Sequence, residues 1–176
     1  MNYWHDITPG TKENINVIVE IPRGSKNKYE IDKATGLIAL DRAMHTAQDY
    51  PFDYGFVPQT LWDDSDALDV IVLTTYPLLP GILVRVRPVG LLKMVDGGES
   101  DDKLITVPVD DPRWDRAHNI EDVNPHFLKE IEHFFITYKK LQDKEVETAG
   151  FEGKENAEKA FERSISLYKE AFPPQK

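Results

Sequence analysis

Residues 14–22 read NINVIVEIP. Ile15, Val17, Val19 and Ile21 recur at every second position, the period of a β-strand, while Glu20 points to the opposite face. An amphipathic helix would space its apolar residues three and four apart instead. Working outward, residues 27–33 and 37–42 are expected to form a hairpin. Its turn, Ala34-Thr35-Gly36, ends on a glycine free to take positive φ. Lys28 and Glu30 share one face of the first strand, and Ile38, Leu40 and Arg42 share one face of the second. Further strands are expected at 54–58, 69–74, 82–89, 90–95 and 103–109, separated by Pro- and Gly-marked turns. Several short strands with such punctuation imply a closed or partly closed barrel.

The period changes in the C-terminal third. Asn124-Pro125 is a good N-cap and first helical position. Phe127, Leu128, Ile131, Phe134, Phe135, Tyr138 and Leu141 then make one wide apolar stripe. A second helix is expected over 154–171, with Ala157, Ala160, Phe161, Ser164, Ile165 and Tyr168 inward. The fold class is therefore mainly β (α+β): a β-barrel flanked by α-helices, two of them near the C-terminus. No repeat or linker interrupts the 176 residues, a length that suits one domain, 1–176.

Composition narrows the function. The chain has no cysteine, which excludes disulfides, thiol nucleophiles and thiolate zinc sites and fits a reducing compartment. The start, MNYWHDITPG, lacks the basic and apolar regions of a secretory signal. Residues 70–92, the most apolar region, are broken by Pro77, Arg85, Arg87 and other polar or ring residues, so no membrane span is expected. These features place the protein in the cytoplasm. A formal net charge of −10 argues against nucleic acid as partner, and a small anionic substrate would need a cation or a basic patch.

The acidity is concentrated. Residues 63–70 read DDSDALDV, placing Asp63, Asp64, Asp66 and Asp69 at the mouth of an apolar strand. Two unit charges about 4 Å apart repel by roughly 4 kcal/mol at an effective dielectric near 20, a large part of the ~5–15 kcal/mol that stabilises a domain. Read alone, this octapeptide favours a solvated acidic turn over a cation site. It is not an EF-hand loop, because Leu68 and Thr75 stand where that loop needs ligands. A second acidic loop, KMVDGGESDDKL at 93–104, shifts the balance toward a cation site. It supplies Asp96, Glu99, Asp101 and Asp102, with Glu20 and Glu30 available on neighbouring strands. Oxygen ligands of this kind suit Mg²⁺, Mn²⁺ or Ca²⁺ rather than zinc or copper.

His5, His45, His118, His126 and His133 show no metal-ligand spacing, and surface or interface roles are expected for them. No P-loop or nucleophile-elbow pattern is present. Lys28, Arg42, Lys103 and Lys139 lie beside the acidic positions. Singly each reads as a weak surface pair; together with a carboxylate-and-metal site they describe a pocket for a compact, highly charged phosphate compound. Tyr50, Tyr54 and Tyr138 read as core or pocket wall, with hydroxyls able to donate to phosphate oxygens.

Asp64-Ser65-Asp66-Ala67-Leu68-Asp69-Val70 resembles the Asp-x-Asp-Pro-x-Asp signature of the soluble family I inorganic pyrophosphatases. The resemblance extends through VIVEIPRGSKNKYEID (17–32), LDR (40–42), YPFDYGFVP (50–58), YPLLPG (76–81), RPVG (87–90), LLKMVD (91–96), HFF (133–135) and YKKL (138–141). It covers nearly the whole chain and is weakest at 110–123 and both ends. The resemblance implies an OB-like five-stranded closed barrel and hydrolysis of inorganic pyrophosphate with several Mg²⁺ ions per site, Mn²⁺ being a substitute. By position, Asp64, Asp69 and Asp101 match metal ligands, and Asp96 matches the ligand of a further metal arriving with substrate. Asp66 matches the general base. Lys28, Arg42, Lys103, Tyr138 and Lys139 match phosphate-holding groups, and Tyr54 lines the same pocket. Glu20, Glu30 and Tyr50 fall at its edge. A homohexamer is implied by likeness to the short, prokaryote-like members. Ala67 stands where the family usually has proline, and Gly97 where some relatives carry an acidic residue. The rival readings are another metal-dependent phosphohydrolase, acting on polyphosphate or nucleotides, and a non-enzymatic OB-type binding module.

Overall fold

The computed structural model describes residues 1–173. In chain order the strands are β1 (Gly10–Thr11), β2 (Asn14–Ile21), β3 (Asn27–Ile31), β4 (Ile38–Ala43), β5 (Asp53–Phe56), β6 (Asp69–Val72), β7 (Leu83–Asp96), β8 (Glu99–Ser100), β9 (Lys103–Pro108) and β10 (Val146–Gly153). Helix α1 (Pro125–Thr137) precedes β10, and α2 (Lys154–Ala171) follows it. Strands β2, β5, β6, β9 and β7 pair in that order, and β7 returns to pair with β2. The sheet thereby closes into a five-stranded ring, the barrel expected from the short, turn-punctuated strands and, in its strand number, from the family resemblance. Only the β6–β9 pairing in the ring is parallel. Strands β3 and β4 form a separate hairpin.

The alternation of β2 holds for its first half. Ile15 and Val17 enter a core shared with Ala157, Ala160 and Phe161 of α2. Both faces of β2 are covered, so Ile18 is buried as well, against Trp4, Phe56 and Ala67. The pairing with β5 then slips between Val19 and Ile21. An extra residue in one strand re-aims its side chain, and here that residue is Glu20. Ile21 turns into a second core with Tyr54, Ile71, Ile105 and Phe135. A second slip, between Lys28 and Tyr29, leaves Asp41 as the extra residue of β4, so Leu40 and Arg42 no longer keep the simple alternation expected of them.

The expected strands at 82–89 and 90–95 are one strand, β7, bent where its pairing with β9 shifts between Pro88 and Gly90. Proline and glycine mark a bulge here, not a turn. Gly90 permits close approach: a Cβ would lie 2.6 Å from Ile120 Cδ1 and 2.9 Å from the Glu152 carbonyl oxygen. Strand β10 was not foreseen; it adds to the outer part of β7 and carries α2 back onto the barrel. Helix α1 begins as expected, with the Asn124 side chain accepting from His126 N–H at 2.9 Å and Pro125 at its first position. It ends at Thr137, short of Tyr138 and Leu141 in the expected stripe; Ile131, Phe134 and Phe135 are buried, while Phe127 and Leu141 are exposed. Helix α2 spans the expected residues, with Ile165 and Tyr168 only half-buried. Among the described residues, no helix is long and apolar enough to cross a membrane.

Candidate active site

The centre of the site is set by strand register. Asp69 and Lys103 are partners across the parallel β6–β9 pair. Lys103 Nζ lies 2.8 Å from Asp69 Oδ2 and 2.7 Å from Asp101 Oδ1. The Lys103 side chain is buried, 2% exposed. Burial alone would drive off its proton, but Asp69 and Asp101 outweigh burial and hold the ammonium above its ordinary pKa. Tyr54, projecting from β5, donates its hydroxyl to Asp69 Oδ2. Burial pushes the hydroxyls of Tyr54, Tyr138 and Tyr50 upward, so all three remain donors across the ordinary pH range.

The acidic loop before β6 is a local turn. Trp62 N–H donates to the Asp66 carbonyl at 2.7 Å, Ser65 N–H to the Trp62 carbonyl at 3.1 Å, and Asp66 N–H to Asp64 Oδ1 at 3.0 Å. Ser65 holds φ +68° to make this turn, and Leu68 anchors it in the core. Asp64, Asp66 and Asp69 thereby face one cleft. Asp63 turns outward to Arg163 of α2, at 2.6 Å. Burial, then repulsion by Asp69 and Asp66, raises the Asp64 carboxyl above its usual range. At Asp101 burial raises the pKa, Lys103 opposes it, and Asp69 and Asp64 add repulsion; the balance stands at about 7. Glu20, re-aimed by the β2 bulge, is buried and accepts Ile31 N–H at 2.7 Å. Burial, followed by the charge of Asp69, holds it well above its ordinary value.

Lysines bracket the carboxylates. Lys139, following α1, pairs with Asp96 at the end of β7. Lys28 reaches Glu30 at 2.8 Å and Asp41 at 3.4 Å. Burial acts against its charge, but Glu30 and then Asp41 hold it above the usual lysine value. The whole encloses a cavity of about 540 Å³ lined by eight carboxylates and four ammonium groups. Of the charged residues expected at the site from the sequence, Arg42, Asp63, Glu99 and Asp102 do not line it; Glu99 is exposed, and Asp102 is buried in a pair with Lys93. Arg42 pairs with Asp41 behind Lys28, and its buried Nε has no partner.

The cleft is also lined by residues that the sequence does not mark as site residues, among them Trp4, Tyr29, Asp32, Lys33, Phe56 and Phe135. Asp32 and Lys33 border the hairpin turn, where charged side chains ordinarily meet solvent. None of the five histidines lines it. Among the described residues, no three carboxylate or histidine groups converge as a ready metal cage; the lysines stand between them.

Residues 17–169 match the family model described as inorganic pyrophosphatase. The chain is 46% identical over 175 residues to an inorganic pyrophosphatase of Haloferax volcanii, covering 98% of this chain and 99% of the relative. Its structure superposes on the inorganic pyrophosphatase of Thermus thermophilus with a TM-score of 0.92 at 45% identity, over 96% of this chain and 99% of the other. A vacuolar soluble pyrophosphatase of Trypanosoma cruzi, truncated at its N-terminal domain and solved in complex with PPi, matches with a TM-score of 0.85 at 25% identity, over 96% of this chain and 78% of that one.

Proposed function

The chain belongs to the inorganic pyrophosphatase family and hydrolyses inorganic pyrophosphate to two orthophosphates; from that premise we propose how its cleft does so. The observation that carries the reading is the imbalance of eight carboxylates against four ammonium groups in one cavity. Such a cleft repels a tetra-anion unless cations neutralise it first.

Mg²⁺, with Mn²⁺ as a substitute, is the cation proposed, held by Asp64, Asp69 and Asp101, with Asp96 taking a further ion that enters with substrate. The donors fit: all are hard oxygens. Burial and mutual repulsion hold Asp64 and Asp101 above the ordinary carboxylate range, a deficit that a cation relieves. When bound, the metal polarises phosphoryl oxygens and makes water more acidic.

The chain's own groups do the rest. Asp66, at the lip of the turn, accepts the proton of the attacking water. Lys28, Arg42, Lys103, Tyr138 and Lys139 hold phosphate oxygens and offset charge on the leaving group. Arg42 is paired with Asp41, and Lys139, already in the cleft wall, with Asp96. Tyr54 and Tyr50 line the wall as donors. Glu30 seats Lys28, and Glu20 ties β2 to β3 beside Asp69.

Residues 1–176 are proposed to act as one domain, in the cytoplasm, as a homohexamer. Exposed Tyr76, Leu79, Ile82 and Leu83, an apolar run unusual on a free surface, support self-association. Native mass measurement tests the oligomer. Calorimetric titration of Mg²⁺ into metal-free protein tests the cleft: binding that Asp64→Asn and Asp101→Asn weaken is expected, and unaltered binding in both contradicts the assignment.

A further inference from the structure

We propose that Lys33 is a positioning residue for Asp66: its ammonium, carried on the turn between β3 and β4 and seated over Trp4, fixes the carboxylate of the base at the cleft. This role rests on Asp66 being the base.

Lys33 is the only cation paired with Asp66 among the described residues. Its Nζ also lies 3.4 Å from the Ser65 carbonyl oxygen, so it grips the turn that presents Asp66 as well as the carboxylate. An exposed ion pair on a loose side chain would contribute little. Here both ends are built. The Asp32 side chain accepts from Ala34 N–H at 2.9 Å and from Thr35 N–H at 2.8 Å, and Gly36 N–H donates to the Asp32 carbonyl at 2.7 Å. The turn that carries Lys33 is therefore closed on both sides. The N-terminal arm packs on it so closely that a Cβ at Gly36 would lie 2.7 Å from Asn2 Cα.

Trp4 completes the seat. Lys33 Nζ stands 5.5 Å from the centroid of its ring system, within range of a cation–π attraction. Trp4 is buried, 4% exposed, and its indole N–H donates to the Thr60 carbonyl at 2.9 Å. Thr60 is buried too, and its hydroxyl oxygen accepts Leu68 N–H at 2.9 Å. Arm, hairpin and acidic loop thus meet at one lysine. With Asp66 half exposed at 56%, few contacts of its own would otherwise orient it.

A positioning group acts on the rate more than on affinity, and sub-ångström placement of a catalytic group carries large rate factors. Lys33→Ala should lower kcat by about tenfold while KM for pyrophosphate stays within about twofold. Lys33→Arg, which keeps the charge and the reach, should restore most of the rate. The Lys33→Ala/Asp66→Asn double variant should be no slower than Asp66→Asn alone, because coupled groups are not additive. Because Lys33 is more than half exposed, its removal leaves the fold in place, and unchanged melting curves check this. Full kcat in Lys33→Ala beside a crippled Asp66→Asn, or losses that add in the double variant, would overturn the role of Lys33. Full turnover by Asp66→Asn would overturn the base itself, and the positioning role with it.

Discussion

Lys103 Nζ and Asp69 Oδ2 stand 2.8 Å apart because the two residues are register partners on the parallel strands β6 and β9. The same ammonium reaches Asp101, so one buried cation holds two carboxylates that repel each other. Removing one member of a buried charge set leaves the others uncompensated, at a cost of about 3 kcal/mol. Lys103→Met should therefore lower the melting temperature of the metal-free protein by roughly 6–12 °C at this chain length. It should also lose most phosphate release, since Lys103 is a proposed phosphate ligand. Calorimetric melting beside a turnover assay reads both, and Mg²⁺ should recover part of the stability without the activity.

The pH dependence has a definite sign. The Asp101 carboxyl is raised to about 7 in the fold, against about 3.9 in an unfolded chain. Between those values the folded state keeps a proton that the unfolded state has released, so metal-free stability falls as pH rises through this window and levels off above it. Raised Glu20 and Asp64 act in the same direction. If Mg²⁺ occupies the ionised cluster as proposed, its stabilising effect should be larger at about pH 8 than at about pH 5.5. Melting curves with Mg²⁺ and with a chelator, at both pH values, make the comparison.

Barrel closure depends on Gly55. It pairs with Val19 at the β2–β5 seam, and a Cβ there would lie 2.0 Å from the Ile18 carbonyl oxygen. Backbone cannot yield as a side-chain tip can. Gly55→Ala should cost about 3 kcal/mol, read as a drop in the chemical denaturation midpoint.

Much of this was legible in the sequence, for identifiable reasons. Ile15 and Val17 announced β2 because period-2 burial is local, and Asn124-Pro125 announced α1 because a cap is local. The acidic loops declared the cleft because four aspartates in seven residues are hard to place elsewhere. What escaped depends on long-range contact. The bulge that turns Glu20 into the cleft exists only in the pairing of β2 with β5. The joining of 82–89 with 90–95 depends on Gly90 meeting Ile120 and Glu152. Strand β10 pairs with β7 at positions 50 to 63 residues earlier in the chain, from Val146 opposite Asp96 to Gly153 opposite Gly90. Lys33 and Trp4 carry no signal at all until the hairpin, the arm and the loop are brought together.

The central claim is that this cleft cleaves pyrophosphate through Mg²⁺ loading of its carboxylates, with Asp66 as base. Phosphate release from inorganic pyrophosphate, measured for the native chain and Asp66→Asn with and without Mg²⁺, tests it most directly. The native chain should release phosphate only with Mg²⁺, and Asp66→Asn should be slower by about 10²- to 10⁴-fold while melting like the native chain. Release that is indifferent to Mg²⁺, or an Asp66→Asn variant as fast as the native chain, would contradict the account.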